Sequence, residues 1–310
     1  EILIGLVGSE MCIRDRNAVF GVDADSRLFV QGSLAFTGNL NLYMGQLAAG
    51  GTLIAEDVFL PGKWEQVMAR ERANGIYLIP SKLLMLPRVF KGVNANIRTI
   101  ISGSQSLGRK DAEVLKKIFP NTEITLYYGA SELNYITYVK SADMTEERNL
   151  IGKPFPGVRV FIQDDEMYVD NAFHVENITV PYSLKDSGRM DAQGNFYFLG
   201  RTDDIVGVRG RKVSMMKIEN ALEEVAGITE AAVVLLPKEK DADMPAEIVS
   251  AFVTVEGTDV PENLRQQLKE KLADFEIPKR VIVLEAFPKN TSGKVDKARL
   301  KKMWIEQEPQ

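Results

Sequence analysis

Apolar runs of strand length alternate with amphipathic stretches of helix length along residues 17–199. The amphipathic stretches cover residues 63–74 and 109–119, where apolar side chains recur at helical spacing. The apolar runs cover residues 76–79, 98–101 and 123–128, and short turns containing Gly or Pro separate the segments. Because strand–helix–strand order with short links is typical of βαβ units, the pattern predicts an α/β domain with a mainly parallel sheet.

After Gly200 the predicted elements follow a different order. A hairpin is predicted at residues 205–213, followed by a helix that Ser214 caps and that ends near residue 225. Strands are predicted at residues 228–236, 248–255 and 279–284, and Pro261 begins a helix that extends to about residue 274. This order predicts a small α+β domain over residues 202–310, which is roughly 110 residues, a usual size for an independent unit.

Residues 1–16 differ in character from the rest of the chain. The string from Val7 to Arg16 resembles a translated sequencing adapter, so we expect residues 1–16 to be foreign to the natural protein. An ordinary N-terminal strand is the alternative. Acidic residues interrupt the segment and no basic residue precedes its apolar part, which argues against a targeting signal. Residues 17–201 are therefore predicted to be the C-terminal part of a large, incomplete α/β domain in a longer natural chain.

The composition excludes several classes of function. The 310 residues are 45% hydrophobic and 26% charged, as in globular proteins with a core, and no apolar run has the length of a membrane span. A net charge of -5 argues against a nucleic-acid partner. The single Cys excludes a disulfide framework and indicates a reducing compartment, which predicts a cytoplasmic location. With His174 as the one histidine, the chemistry must come from carboxylates, Lys or Arg, hydroxyls and backbone groups.

Two motifs carry carboxylates and hydroxyls. Tyr128-Gly-Ala-Ser-Glu132 follows a predicted parallel strand, at the edge where open α/β sheets bind ligands. Its hydroxyl and carboxylate suit a phosphate–Mg²⁺ site, and the simpler interpretation is a strand end followed by a helix cap. Within residues 182–194, Asp186 lies among small and flexible residues. It is placed either to accept both hydroxyls of a ribose or only to make a turn.

Two further motifs are basic. Residues 200–212, at the predicted domain junction, suit either the neutralisation of phosphate or a charged hairpin. The segment from Pro288 to Lys294 is not a Walker A loop, because it lacks the preceding Gly and has Val295 in place of Ser or Thr. Lys294 is either a mobile charge for a phosphoryl centre or part of a solvated loop. No Gly-x-Gly-x-x-Gly follows a predicted strand, which argues against a redox Rossmann enzyme.

Together and in this order, the motifs resemble the adenylate-forming superfamily of acyl-CoA synthetases, adenylation domains and luciferases, over residues 20–300. The resemblance implies that Glu132 holds Mg²⁺ and that Ser131 contacts phosphate. It also implies an adenine-side loop and a nucleotide motif, formed by Ser102, Gly103, Ser104 and Gln105 and by Tyr128, Gly129, Ser131 and Glu132.

The resemblance implies roles for residues nearer the C-terminus. Asp186 falls on the ribose-binding Asp of a Thr-Gly-Asp motif, although Leu184 and Lys185 replace the Thr and the Gly. Arg201 is implied to contact the nucleotide, and Asp203 is implied to be the hinge between the two domains.

Three further positions complete the implied site. Arg209 and Gly210 lie on the loop that faces the pantetheine of CoA after domain rotation, and Lys294 matches the adenylation lysine. Phe36, in the segment from Ser33 to Gly38, stands at the aromatic position that lines the acyl pocket.

The resemblance implies a ligase that uses ATP, Mg²⁺ and CoA and joins a carboxylic acid to CoA through an acyl-adenylate. The form Gly-Ala-Ser-Glu-Leu favours synthetases of fatty acids. The family's Ser/Thr/Gly-rich phosphate loop, which ends in Pro-Lys, is not found in the sequence, so we expect the 310 residues alone to be inactive. The alternatives are a ligase that loads a carrier protein and a non-catalytic nucleotide-binding fragment.

Overall fold

The computed structural model describes residues 13–32, 37–202, 205–208, 211–238, 247–290 and 295–306. Backbone contacts divide the chain into two compact units. Unit 1 comprises Glu1–Leu184 and Gly188–Phe198, and unit 2 comprises Lys185–Ser187 and Leu199–Gln310. The assignment of residues 17–201 and 202–310 to two domains of a longer enzyme stays a prediction.

Most of the secondary structure of unit 1 belongs to one eleven-stranded sheet. Its strands are β1 (Arg27–Gln31), β2 (Thr52–Glu56), β3 (Gly75–Tyr77), β4 (Thr99–Gly103), β5 (Glu123–Ala130), β6 (Asn134–Lys140), β7 (Leu150–Pro154), β8 (Arg159–Gln163), β9 (Glu166–Asp170), β10 (Tyr182–Met190) and β11 (Phe196–Arg201). The strand order is β2-β1-β3-β4-β5-β6-β7-β11-β10-β9-β8. The first five strands in this order, β2-β1-β3-β4-β5, pair in parallel. The pairs β5–β6, β6–β7 and β7–β11 are antiparallel. The predicted mainly parallel α/β sheet with a further β region is confirmed.

The helices of unit 1 are α1 (residues 13–20), α2 (Thr37–Ala48), α3 (Pro61–Arg70), α4 (Pro80–Leu83), α5 (Leu86–Val89) and α6 (Arg109–Ile118). Trp64 and Met68 of α3 are buried, as the amphipathic pattern predicted. The predicted strand at residues 76–79 is shorter than expected, because Pro80 begins α4. Proline favours a first helical turn because its missing N–H would have no partner there.

The central strands are buried on both sides because successive side chains point to opposite faces of a sheet. We call one side the α6 face; its core includes Phe29, Ile76, Leu78, Ile100, Leu115, Phe119, Ile124 and Leu126. We call the other side the tyrosine face; its core includes Phe20, Leu28, Val30, Leu42, Tyr77, Ile101, Tyr127, Tyr135 and Phe155.

The described part of the segment predicted to be foreign is helical, so the alternative of an N-terminal strand is wrong for residues 13–16. Arg16 is buried, and its Nη1 donates a hydrogen bond to Asn134 Oδ1 at 2.9 Å. Its guanidinium carbon lies 5.0 Å from the centre of the Tyr135 ring. Arg16 is therefore packed into the tyrosine face, and the foreign origin of residues 1–16 stays a prediction.

Unit 2 contains β12 (Ile205–Val208), β13 (Arg211–Ser214), α7 (Met215–Glu223), β14 (Ile228–Pro237), β15 (Glu247–Val255), α8 (Leu264–Lys269), β16 (Arg280–Val283) and α9 (Lys297–Glu306). Strands β12 and β13 form the predicted hairpin, and β15 pairs with β14 antiparallel and with β16 in parallel. Ser214 caps α7 as predicted, since its Oγ accepts a hydrogen bond from the Lys217 amide. The predicted small α+β unit is confirmed.

Helix α8 is shorter than the prediction of residues 261–274. The Glu276 carboxylate accepts the amide proton of Ala273 at 2.9 Å and also binds the Lys217 ammonium at 2.6 Å. The Ala273 amide is therefore not available for the helical hydrogen bond that would extend α8. Among the described residues, no helix has both the length and the apolar character needed to cross a membrane.

Candidate functional site

The predicted adenine-side loop leaves β4 beside β5. Ser102 pairs with Leu126 and Gly103 pairs with Tyr127 in the parallel register. The Ser102 side chain is fully buried, and its hydroxyl donates to Leu78 O at 2.7 Å. This hydroxyl therefore joins β4 to the residue that follows β3, and a ligand would meet Ser102 through its backbone.

Ser104, the next residue but one in this loop, is exposed and conformationally unusual. Ser104 has a positive φ of 71°, which is the left-handed region that glycine adopts without steric cost. Gln105 Oε1 accepts a hydrogen bond from the Ser81 amide at 2.9 Å, which fastens the loop to the start of α4.

The end of β5 requires a glycine, and the turn that follows it exposes a carboxylate. A Cβ on Gly129 would lie 2.3 Å from Asn134 O, so only glycine fits where the register of β5 and β6 shifts. Ser131 and Glu132 are exposed beyond this shift. Thr37 Oγ1, at the start of α2, lies 3.3 Å from Ser131 Oγ. The loops after β4 and β5 and the start of α2 thus meet at one edge of the sheet.

The residues of this edge suit a magnesium–nucleotide complex better than a metal cage made of protein groups alone. Among the described residues, no cluster of three or more His, Cys, Asp or Glu side chains could hold a metal ion. Mg²⁺ is usually bound by one or two carboxylates, by waters and by substrate phosphates. The exposed Glu132 carboxylate and the neighbouring Ser131 hydroxyl fit that donor set.

Unit 2 holds the two other described site residues. Arg201 Nε lies 3.8 Å from Asp186 Oδ1, and the Asp186 side chain is only 11% exposed. Lys185 has a positive φ of 61° and stands where the implied family motif has glycine. Thr202 Oγ1 donates to Lys185 O at 2.7 Å, which holds this backbone conformation. Arg201 thus forms an ion pair with a nearly buried carboxylate.

Five of the predicted site residues lie outside the described part of the chain: Phe36, Asp203, Arg209, Gly210 and Lys294. Their roles stay predictions. Within unit 1 the structure brings the residues of the adenine-side loop and of the 128–132 motif to one edge of the sheet. Within unit 2 it pairs Asp186 with Arg201.

The sequence pattern did not single out a tyrosine cluster beneath this edge. Tyr127 and Tyr77 share a hydrogen bond of 2.9 Å between their hydroxyls, and the Tyr135 ring contacts the Tyr127 ring edge-on at 4.6 Å. Burial raises the pKa of all three tyrosines, that of Tyr127 especially. They are therefore neutral at physiological pH. The sequence did contain one signal for this cluster. Because successive side chains of a strand point to opposite faces, Tyr127 must face the side of the sheet opposite to that of Tyr128.

Comparison with known families covers most of both units. The family described as AMP-binding enzyme matches residues 6–172, and the AMP-binding enzyme C-terminal domain matches residues 217–294.

Among individual relatives, an uncharacterized acyl-CoA ligase of Bacillus subtilis, YhfT, is 25% identical over 94% of this chain. A linear gramicidin synthase of Brevibacillus parabrevis is 26% identical over 91% of this chain and 6% of its own length. The chain spans 63% of the length of the Bacillus ligase.

The crystal structure of ATP-bound MatB from Rhodopseudomonas palustris is similar in fold, with a TM-score of 0.80 at 22% identity. The match covers 96% of this chain and 63% of MatB.

Proposed function

Because the chain belongs to the AMP-binding enzyme family, we propose that the complete protein is an AMP-forming carboxylic acid:CoA ligase that acts through an acyl-adenylate. The observation that carries this proposal is the grouping of the Ser102–Gln105 loop with Ser131 and Glu132 at one edge of the sheet. Ligands of open α/β sheets bind at the carboxyl ends of the strands, where this edge lies.

The proposed reaction has two steps. The substrate carboxylate attacks the α-phosphorus of ATP and releases pyrophosphate, and the CoA thiol then displaces AMP. The first nucleophile is already an anion at neutral pH, so this step requires no general base. Catalysis then depends on alignment of the reactants and on neutralisation of charge at phosphorus. This explains how a chain whose one histidine is His174 supports the reaction.

Each site residue has a distinct role in this proposal. Ser131 contacts phosphate, and Glu132 holds Mg²⁺, which would neutralise phosphate charge. Asp186 binds the ribose hydroxyls, Arg201 contacts the nucleotide, and Lys294 stabilises negative charge on the phosphoryl group. Tyr128 and Gly129 shape the nucleotide site.

Asp203 is the proposed hinge of the C-terminal domain. Rotation about Asp203 replaces Lys294, which acts in the first step, with Arg209 and Gly210, which face CoA in the second step. A cytoplasmic location belongs to the same proposal and is supported by the low cysteine content of the sequence. A preference for fatty acids is supported by the Gly-Ala-Ser-Glu-Leu form of the motif.

A ligase that loads a carrier protein is the second candidate. It is favoured by the similarity to the linear gramicidin synthase of Brevibacillus parabrevis. The two candidates share the adenylation step and differ in the thiol that accepts the acyl group. A competition between CoA and a pantetheinylated carrier protein distinguishes them, since a carrier-loading ligase forms no acyl-CoA.

The proposal is tested by measuring pyrophosphate release and acyl-CoA formation by the complete protein with a panel of carboxylic acids. We expect Glu132→Gln and Lys294→Ala to slow adenylation by roughly a hundredfold or more, as the loss of a charge-stabilising group does. Lys294→Ala should have far less effect on thioesterification of supplied acyl-adenylate.

Matched controls are Glu113→Gln and Lys117→Ala, which change exposed residues of α6. If these variants slow adenylation as much, or if Lys294→Ala slows both steps equally, the assigned roles are wrong. We expect the 310 residues alone to release no pyrophosphate, because the sequence lacks the phosphate loop. If the complete protein binds AMP but converts no acid, the chain is part of a non-catalytic nucleotide-binding protein.

A further inference from the structure

Two consecutive residues at the end of β11 contact the neighbourhood of Asp186 in different ways. Asp186 lies in β10, which is the neighbour of β11 in the sheet. Arg201, the last residue of β11, places its Nε 3.8 Å from Asp186 Oδ1. Thr202 follows Arg201, and its Oγ1 donates a hydrogen bond to Lys185 O at 2.7 Å. Arg201 thus meets the Asp186 side chain, and Thr202 meets the backbone just before it. All four residues belong to unit 2.

Lys185 has an uncommon backbone conformation. Its φ of 61° lies in the left-handed region, where the Cβ of an L-residue crowds its own backbone. Glycine adopts this region without steric cost, whereas lysine does not. In this conformation the Lys185 carbonyl accepts the hydrogen bond from Thr202, so the bond offsets part of the steric cost.

The Lys185 carbonyl and Asp186 share one peptide group. Since a peptide group is planar, the hydrogen bond that fixes Lys185 O also fixes N and Cα of Asp186. The Asp186 side chain leaves from that Cα, so a turn of the peptide plane would redirect its carboxylate. A carboxylate that accepts the hydroxyls of a ribose needs a defined direction, because hydrogen bonds weaken steeply when they are bent.

On the premise of the proposed function, we propose that Thr202 is a positioning residue for ribose recognition: its hydroxyl holds Lys185 in the left-handed conformation and so aims the Asp186 carboxylate at the ribose hydroxyls of ATP. Thr202 acts through Asp186 and does not itself touch the nucleotide. Without the hydroxyl, Lys185 relaxes to a negative φ, the peptide plane turns and the ribose loses its acceptor.

The test compares ATP with 2′-deoxyATP in adenylate formation by the complete protein. We expect the wild-type kcat/KM to be higher for ATP by about tenfold or more, the usual contribution of a hydrogen bond to a charged group. Thr202→Val keeps the branched shape of the side chain and removes the hydroxyl. We expect it to lower the ATP-to-2′-deoxyATP ratio by about fivefold or more, because most of that contribution is lost.

Two further changes test the cause of this loss. Thr202→Ser retains the hydroxyl and should retain most of the ratio. Lys185→Gly removes the steric cost of the left-handed conformation, so the double variant Thr202→Val, Lys185→Gly should recover most of the ratio. Because Thr202 is partly exposed, we expect its variants to fold, and Thr202→Ala is measured beside Thr202→Val as a second variant without the hydroxyl.

Ser214→Ala is the matched control. The Ser214 hydroxyl donates to Leu199 O at 2.8 Å, which is a bond of the same kind to a carbonyl that does not adjoin Asp186. Its loss should lower stability and leave the ratio unchanged. A thermal unfolding scan establishes that each variant is folded. Thioesterification of supplied acyl-adenylate detects any effect on the proposed hinge at Asp203, which would alter the second step and not the choice between the two nucleotides.

Three results for the variants would overturn the inference: a folded Thr202→Val that keeps the wild-type ratio, a double variant that fails to recover it, or a Ser214→Ala that loses it equally. A wild type that uses ATP and 2′-deoxyATP equally well would also overturn it, because Asp186 then does not recognise the 2′-hydroxyl. Each of these results leaves adenylation, and therefore the proposed function, intact. If the complete protein adenylates no acid in the wider panel, the proposed function fails and this inference fails with it.

Discussion

The two faces of the unit 1 sheet are built from the same strands but differ in chemistry. The α6 face is filled by apolar side chains such as Ile100, Leu115 and Phe119, with helices packed against them. The tyrosine face contains three buried phenols, and it closes on Gly38 and Gly103, where a Cβ has no room.

This difference determines how each face should respond to substitution. Most side chains on the α6 face carry no polar group and need only match one another in volume. On the tyrosine face each hydroxyl must be satisfied or is costly, and the aromatic rings press on the backbone at the proposed site. Substitutions on the α6 face should therefore act mainly through lost volume, and those on the tyrosine face through both lost volume and lost hydrogen bonds.

The largest expected effect comes from the α6 face. Phe119→Ala removes a fully buried ring that contacts Phe90 edge-on, with 5.2 Å between the ring centres. We expect a loss of about 3–5 kcal/mol in the free energy of unfolding, because a cavity replaces the ring. Urea denaturation of the 310-residue chain measures it. A loss below about 1 kcal/mol would show that this face is loosely packed.

High pH should weaken the tyrosine face. Burial raises the folded-state pKa of Tyr77, Tyr127 and Tyr135 above the usual value of 10.0. The unfolded state therefore releases protons first, and stability that is complete below pH 10 is lost as the pH rises further. The slope is up to about 1.4 kcal/mol per pH unit for each tyrosine.

Urea midpoints at several pH values between neutral and strongly alkaline measure this loss. Tyr135→Phe is the control, because it removes one of the three ionising groups and should reduce the slope by up to about a third. If wild type and Tyr135→Phe lose stability equally, the tyrosines are not the cause.

A methyl group at Gly103 tests the contact with Tyr127 directly. Gly103→Ala should cost about 1–3 kcal/mol, because its Cβ would overlap the Tyr127 ring. In the background of Tyr127→Ala the same change should cost much less, which gives a measurable coupling energy. Gly92→Ala is the control, because a Cβ there meets no atom within 4 Å. Additive costs would contradict the overlap.

The hydroxyl pair predicts a smaller effect. Tyr77→Phe leaves the Tyr127 hydroxyl buried without its partner and should cost about 1–3 kcal/mol. Tyr135→Phe is the matched control, because the Tyr135 hydroxyl is buried and finds no hydrogen-bond partner among the described residues. Its removal should cost little or increase stability. Equal costs for the two variants would mean that the hydroxyl pair adds nothing to stability.

The smallest effect concerns the adenine-side loop. Ser104→Gly should raise the free energy of unfolding by about 0.5 kcal/mol, because relief of the left-handed strain exceeds the entropy cost of glycine. Ser106→Gly, in the same loop, gains no such relief and should lower stability. If both variants lower stability, Ser104 is not strained.

Much of the fold could be predicted from local patterns. The helix around Trp64 and the cap at Ser214 follow from residues close in sequence, and both are confirmed. The end of α8 could not be predicted, because the carboxylate that competes for its backbone comes from Glu276, after the helix. The candidate site divides in the same way, since a motif identifies Glu132 but does not show that Thr37 approaches Ser131.

The sequence by itself determined the alternation of strands and helices, the small α+β unit and the motifs that resemble those of adenylate-forming enzymes, because all of these depend on residue type and short spacing. Only the tertiary structure decided which side of the sheet is polar and that the Tyr127 ring fills the gap between Gly38 and Gly103. That gap is formed by α2, β4 and β5, and α2 is distant in sequence from the two strands. The volume of a side chain affects packing there only when these three elements come together.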